Sequence, residues 1–175
     1  MCKLCKTNPV YEFTNGRRIC KGCFIKWFEK KVLYTLRRFG MIKKGDKISF
    51  SRTKDFRSVV LKSVLEMFVK RAPVEIVKSK ANKMAVVDNV DLIAGEIAKI
   101  LVKGDVSRLK IKPVEGKIIR PLYLFTDKEV LLYAKLRTLK FKKERQEKEN
   151  ILDTLEKRHP EIKHAVVQSY LKLNN

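Results

Sequence analysis

Residues 47–69 read KISFSRTKDFRSVVLKSVLEMFV, a stretch that passes from an apolar strand pattern into a helix pattern. Ile48 to Ser51 has the length and composition of a short buried strand, and the apolar residues of Val59 to Val69 recur at three- and four-residue steps, which predicts a helix. Residues 52–58 between them form a tight strand-to-helix turn. In an open α/β sheet, the N–H groups at such a helix start point toward a bound phosphate. The turn is therefore a candidate nucleotide site.

The next segments repeat the alternation of strand and helix. Val74 to Val77 and Met84 to Val87 are predicted strands, and a helix follows that runs to Lys103 with Asp88 or Asn89 as its N-cap. This alternation favours a parallel sheet with right-handed crossovers. The predicted fold class is α/β.

Three helices are predicted in the C-terminal part. The first begins at Thr126, has Glu129 at the capping-box position and ends near Thr138. The second covers Lys142 to Arg158 and ends at the proline that follows. The third covers Lys163 to Leu173.

The four cysteines all lie near the N-terminus, as Cys2-x-x-Cys5 and, after 14 residues, Cys20-x-x-Cys23. Two such pairs predict one tetrahedral structural zinc site in a ribbon. The ribbon's short strands would be residues 10–13 and 17–19, joined by an Asn-Gly turn. Two disulfides and an iron–sulfur cluster are the alternatives. A zinc ion with four cysteine ligands has no open position, so it would stabilise structure and not catalyse.

A basic helix is predicted from Phe24 to Phe39. The residues expected to face the core are Ile25, Phe28, Val32, Leu36 and Phe39. The cations expected largely on the other side are Lys26, Lys30, Lys31, Arg37 and Arg38. We interpret that side as a surface that binds RNA phosphates, and an ordinary solvated face is the alternative.

The charge of the whole chain supports a polyanionic partner. It carries 41 Lys and Arg against 19 Asp and Glu, a net charge of +22, and residues 1–45 hold 12 of these cations and two of the acids. A nucleic acid is the simplest partner for such an excess. No apolar run is long enough to span a membrane, and the N-terminus lacks an apolar signal core, so we expect a cytoplasmic protein without membrane association.

These features together resemble the tRNA 2-thiolation family of PP-loop proteins, which includes the cytoplasmic tRNA thiolases. Ser51, Arg52, Thr53, Lys54 and Asp55 stand where that family has Ser-Gly-Gly-Lys-Asp. The family's Gly-His-Asn-x-Asp-Asp-x-Ala helix and its final Gly-Asp are matched in register by Asn89, Asp91, Ala94, Gly104 and Asp105. The Gly, the His and the second Asp of that motif are lost, because Val87, Asp88 and Leu92 occupy their positions. Further matches are Arg120-Pro121-Leu122, Asp127-Lys128-Glu129, Tyr133-Ala134, Leu155, Glu156, His159, Pro160 and Lys163.

The sequence also departs from the family pattern. Arg52 and Thr53 replace two glycines that let backbone amides approach the ATP pyrophosphate, and their Cβ atoms block that approach. Active members carry cysteines inside the PP-loop domain, whereas this chain has none after Cys23. No cysteine after Cys23 could supply the C-terminal zinc ribbon that many members have.

The resemblance with these departures implies a non-catalytic, pseudoenzyme subunit that binds tRNA and acts with an active PP-loop paralogue on a wobble uridine. The predicted division is a zinc ribbon in 1–24, a linking basic helix in 25–45, and a degenerate PP-loop α/β domain with C-terminal helices in 46–175. Two alternatives stay open. One is an ATP-dependent tRNA-modifying enzyme that still binds nucleotide through the turn together with Asn89 and Asp91, and the other is a stand-alone zinc-ribbon RNA-binding protein.

Overall fold

The computed structural model describes residues 1–105, 109, 111–142 and 151–173. At its N-terminus β1 (Tyr11–Glu12) pairs antiparallel with β2 (Arg18–Ile19). The turn between them contains Gly16 at φ +75°, a value that a residue without Cβ adopts without strain. The predicted ribbon hairpin is confirmed.

A five-stranded sheet forms the centre of the rest of the chain. Its strands are β3 (Lys47–Phe50), β4 (Glu75–Ile76), β5 (Lys83–Ala85), β6 (Val114–Glu115) and β7 (Ile118–Ile119). Their order is β4-β3-β5-β7-β6, with every pairing parallel except that of β6 with β7. The predicted α/β class with a mainly parallel sheet is confirmed.

Six helices surround this sheet in the described ranges: α1 (Lys21–Arg38), α2 (Phe56–Val69), α3 (Val90–Val102), α4 (Asp127–Leu136), α5 (Ile151–Glu156) and α6 (Ile162–Leu173). Local caps set several of their starts. Asn89 caps α3, and Thr126 and Glu129 form the predicted capping box of α4. Of the predicted helix over 142–158, the stretch 143–150 lies outside the described residues.

Aromatic side chains join the ribbon, α1 and α4 into the main core. Phe28 of α1 stacks on Tyr133 of α4, with ring centroids 4.1 Å apart, and its ring centroid lies 4.3 Å from that of Phe125. Tyr11 of the ribbon packs 5.0 Å from Phe24. The ribbon is thus packed against the α/β body through α1.

A second core lies between α3 and the C-terminal helices. It includes the buried side chains of Ile93, Tyr123, Val167 and Tyr170. The Tyr170 hydroxyl donates to the Leu109 carbonyl at 2.8 Å. In the part of the chain that the structure describes, no helix is both long and apolar enough to cross a membrane.

Candidate metal centre and nucleotide turn

The structure brings the four cysteines into one cluster, in which every Sγ lies within 4.8 Å of the others. Cys2 and Cys5 come from the loop before β1, Cys20 directly follows β2, and Cys23 lies in the first turn of α1. The Cys5 and Cys20 sulfurs are 3.3 Å apart, and those of Cys5 and Cys23 are 3.7 Å apart. All four are among the described residues and none forms a disulfide.

This cluster suits a single metal ion. Four thiolates at the usual Zn–S distance of about 2.3 Å lie roughly 3.8 Å from one another in a tetrahedron, close to the distances between these sulfurs. Hydrogen bonds from Thr7 and from the Cys23 backbone lower the pKa of Cys20 to about 6. The Cys20 thiolate, in turn, raises the pKa of Cys23 to about 12. One cation at the centre would stabilise all four thiolates together.

The candidate nucleotide turn follows β3, as predicted. Residues 51–54 are exposed, and Asp55 is the N-cap of α2, where its carboxylate accepts the Ser58 N–H at 2.9 Å. The Thr53 hydroxyl also donates to Asp55. These bonds outweigh the effect of partial burial and lower the pKa of Asp55. Asp55 therefore has a structural role that needs no nucleotide.

No residue from 51 to 55 in the turn adopts the positive-φ backbone conformation that favours glycine. Among described residues other than glycine, positive φ occurs at Lys6, Lys80 and Thr138, so Arg52 and Thr53 both lie outside that region. The segment after α4 also reaches the turn, because the Lys142 N–H donates to the Lys54 carbonyl at 2.7 Å.

Asn89 and Asp91 lie in a polar network that joins the starts of α2, α3 and α4. Asn89 caps α3 through the Leu92 N–H at 3.2 Å and donates its amide to Asp127 at 2.7 Å. Arg57 of α2 binds the same carboxylate through two nitrogens, at 2.7 and 2.6 Å. Asp91 accepts the Asp127 backbone N–H at 2.7 Å. The two predicted nucleotide contacts thus have other partners within the protein.

Sequence reasoning found no role for Arg57, Asp127 or Lys163, which complete this network. Lys163 of α6 is buried and its ammonium lies 2.6 Å from Asp91, 2.8 Å from Asp153 and 2.7 Å from Glu156. The resemblance gave a usable signal at Asp127 and Lys163, which are among its matching positions, whereas Arg57 is outside the matching residues.

A cavity of about 440 Å³ adjoins Asp91, between the ribbon and the C-terminal helices. Its lining includes three carboxylates, those of Glu12, Asp91 and Glu156, against one lysine, Lys128. Burial lowers the pKa of His164, which also lines it, so that the imidazole is neutral at pH 7. These carboxylates are paired with cations outside the lining, Glu12 with Arg18 and both Asp91 and Glu156 with Lys163, so their charges are largely balanced.

The basic helix is α1, and four of its five predicted phosphate-binding side chains are exposed: Lys26, Lys30, Arg37 and Arg38. Lys31 is not on this face. Its side chain is 21% exposed and its ammonium lies 3.2 Å from the Glu129 carboxylate and 4.8 Å from the Trp27 ring centroid. The expectation that Lys31 faces solvent is therefore wrong, because an acid on α4 draws it inward.

The comparisons with known proteins support the fold. The sequence matches no protein-family model, and a search of curated proteins gives no match. Among solved structures, the chain is similar to the U34-tRNA thiolase NcsA from Methanococcus maripaludis with its [4Fe-4S] cluster. The TM-score is 0.81 at 22% sequence identity, and the similarity covers 98% of this chain and 86% of the thiolase chain. The chain thus has the fold of that thiolase over nearly its whole length.

Proposed function

We propose that the protein is a non-catalytic, tRNA-binding subunit in tRNA uridine 2-thiolation, acting with an active PP-loop paralogue. The observation that carries the proposal is the structural similarity to a U34-tRNA thiolase over 98% of the chain. The net charge of +22 fits a tRNA partner. By this similarity, the nucleotide that is thiolated would be the wobble uridine of the tRNA.

The four-cysteine cluster is proposed to hold one structural zinc ion. Short sulfur–sulfur distances support a single ion, because a four-iron cluster binds each cysteine to a different iron and spreads the sulfurs further apart. The similar thiolase carries a [4Fe-4S] cluster, which makes an iron–sulfur cluster at these cysteines the alternative. Metal analysis and the visible absorption spectrum of the purified protein distinguish the two, since zinc gives no visible colour.

A lack of catalysis follows from the chemistry that thiolation requires. The reaction needs a nucleotide that activates the uridine carbonyl and a group that delivers sulfur. All four cysteines of the chain are in the proposed closed metal site, which leaves no thiolate elsewhere in the sequence as a nucleophile. Arg52 and Thr53 occupy the two positions where the family has glycines, and their Cβ atoms would oppose the approach of backbone amides to phosphate.

The retained residues at the turn do not by themselves support ATP binding. Asp55 caps α2, and Asn89 and Asp91 join helix starts, so each of these residues has a structural reason to be present. We expect isothermal titration with ATP and Mg²⁺ to give no measurable heat of binding. Binding in the micromolar range would instead favour an ATP-dependent enzyme.

In vitro thiolation of tRNA with ATP, Mg²⁺ and a sulfide source tests the proposal as a whole. The protein alone should give no thiolated tRNA, while it should bind tRNA and increase the activity of the PP-loop paralogue from the same cell. Turnover by the protein alone would refute the non-catalytic role. Binding of tRNA with no paralogue captured in a pull-down would favour the stand-alone RNA-binding protein.

A further inference from the structure

An exposed row of side chains runs along α1 at four-residue intervals: Lys26, Lys30, Tyr34 and Arg38, here called the Tyr34 stripe. Residues four apart on an α-helix differ by only about 40° in direction, so the row winds about 120° around the helix over the twelve steps from Lys26 to Arg38, a rise of about 18 Å. The stripe therefore presents three cations and one aromatic ring on a single surface.

Tyr34 differs from every other aromatic residue of the chain. Tyr34 is 55% exposed, whereas the other Phe, Tyr and Trp residues, all within the described ranges, are buried or half-buried. The Arg38 guanidinium carbon lies 5.9 Å from the centroid of the Tyr34 ring. This cation–π contact steadies the ring while leaving much of it accessible.

The surface around the ring has no acidic residue from its own helix. Glu29 is the one acid of α1; it lies five residues before Tyr34, about 140° around the helix, and its carboxylate accepts the Tyr133 hydroxyl of α4 at 3.1 Å. Arg37 adds a further exposed cation beside Arg38. Such a surface attracts an anion and repels a basic partner.

An accessible ring between cations suits one class of ligand. Bases that are unpaired stack on aromatic side chains while the phosphates on either side contact Lys and Arg. In a duplex the bases are stacked on each other and cannot reach the ring. The chemistry thus favours an RNA segment with unpaired nucleotides over a double-stranded one.

We propose that Tyr34 is a stacking platform for an unpaired base of an RNA loop, with Lys26, Lys30 and Arg38 binding the flanking phosphates. This inference rests on the proposed function, because it takes RNA as the partner, and it defines which part of an RNA the face binds. We expect one base to stack on the Tyr34 ring while the phosphates on either side of that base contact the cations.

The test compares two RNA probes bound by the full-length, metal-loaded protein. One is a hairpin with an unpaired loop that carries 2-aminopurine, and the other is its stem alone as a blunt duplex. Tyr34→Ala should weaken binding of the hairpin by roughly 5- to 150-fold and leave duplex binding unchanged. Tyr34→Phe keeps the ring and is the matched control, which should bind both probes as the parent does.

Salt dependence separates stacking from phosphate contact. Tyr34→Ala should leave the slope of log K against log salt unchanged, whereas Lys30→Ala should lower it by about one. The 2-aminopurine fluorescence should be quenched on binding to the parent and to Tyr34→Phe but not to Tyr34→Ala.

The outcomes separate this inference from the proposed function. Equal hairpin binding by Tyr34→Ala and the parent, with binding still dependent on Lys30, would overturn the inference alone. No binding of either probe by the parent would overturn both. Loss of the PP-loop paralogue in a pull-down with Tyr34→Ala, at unchanged RNA affinity, would show that the stripe is a protein interface and would also overturn the inference.

Discussion

Replacing Lys163 with methionine removes the cation that connects the C-terminal helices to α3. The lysine side chain is 7% exposed, and its ammonium lies 2.6–2.8 Å from the carboxylates of Asp91, Asp153 and Glu156. Methionine has a similar length and preserves the packing of the stem. The variant therefore tests the ion pairs, because the three carboxylates lose the cation between them.

The size of the effect follows from how much water reaches each carboxylate. Removing one partner of a fully buried ion pair costs about 3–5 kcal/mol. The side chains of Asp91, Asp153 and Glu156 are 16%, 29% and 35% exposed, so solvent screens the resulting repulsion in part. We expect Lys163→Met to lower the free energy of unfolding by about 2–3 kcal/mol, and Tm by roughly 4–12 °C for a chain of this size.

Thermal and urea unfolding at pH 7, followed by circular dichroism, measure this change. Lys172→Met is the matched control, since Lys172 is exposed on the same helix, and its stability should equal that of the parent. If Lys163→Met unfolds at the same temperature as Lys172→Met, the lysine is not held by the three carboxylates and the network is wrong.

The pH dependence has a definite sign. Burial opposes the charge on Lys163, but the hydrogen bonds from its ammonium to Asp153, Asp91 and Glu156 outweigh burial and raise the pKa of the lysine above its usual value. Stability from such a group is fully present below the unfolded-state pKa of about 10.4 and is lost as pH rises through the folded-state value. The difference between parent and Lys163→Met should be constant from about pH 7 to 9 and decrease only at higher pH.

Three further predictions concern the ribbon and the basic helix. A metal chelator should shift the emission of Trp27, the single tryptophan, to longer wavelength, because its ring centroid lies 4.9 Å from that of Phe13 in the ribbon that the proposed metal would hold. Emission that is unchanged after chelation would contradict this prediction. Glu129→Gln should lower the free energy of unfolding, measured in urea, by about 1–3 kcal/mol, because Lys31 loses its paired carboxylate. An unchanged urea midpoint would refute the Lys31–Glu129 ion pair. Lys30→Glu should weaken tRNA binding in a filter assay and reduce the slope of log K against log salt concentration by about one or more. If the variant binds tRNA as the parent does, this face is an ordinary solvated surface.

The features that depend on nearby residues could be predicted from the sequence. Asn89 caps α3 and Thr126 pairs with Glu129 three positions on, because a cap needs only a polar side chain next to the helix it starts. The cysteine cluster follows from two short spacings in the same way. The parallel sheet followed from the alternation of strands and helices.

The features that sequence reasoning missed depend on residues that are far apart in the chain. Lys31 and Glu129 are 98 positions apart, and Arg57 and Asp127 are 70 apart, so no local pattern identifies either pair. The β6–β7 hairpin has two-residue strands, too short for an alternation to be recognised. Its one local signal is Gly116, which adopts φ +58° in the turn.

The network at the helix starts bears on how the resemblance to thiolases should be interpreted. Asp55, Asn89, Asp91 and Asp127 are among the positions that match the family, and in this protein each makes hydrogen bonds that hold α2, α3 or α4. An N-cap side chain contributes about 1 kcal/mol to stability and a hydrogen bond to a charged group about 1.5–3 kcal/mol, so these residues stabilise the fold even where no nucleotide binds. Matches at these four positions are therefore evidence for the fold. Evidence about catalysis has to come from positions without such a structural role, and there the chain has Arg52 and Thr53 in place of two glycines and no cysteine after Cys23.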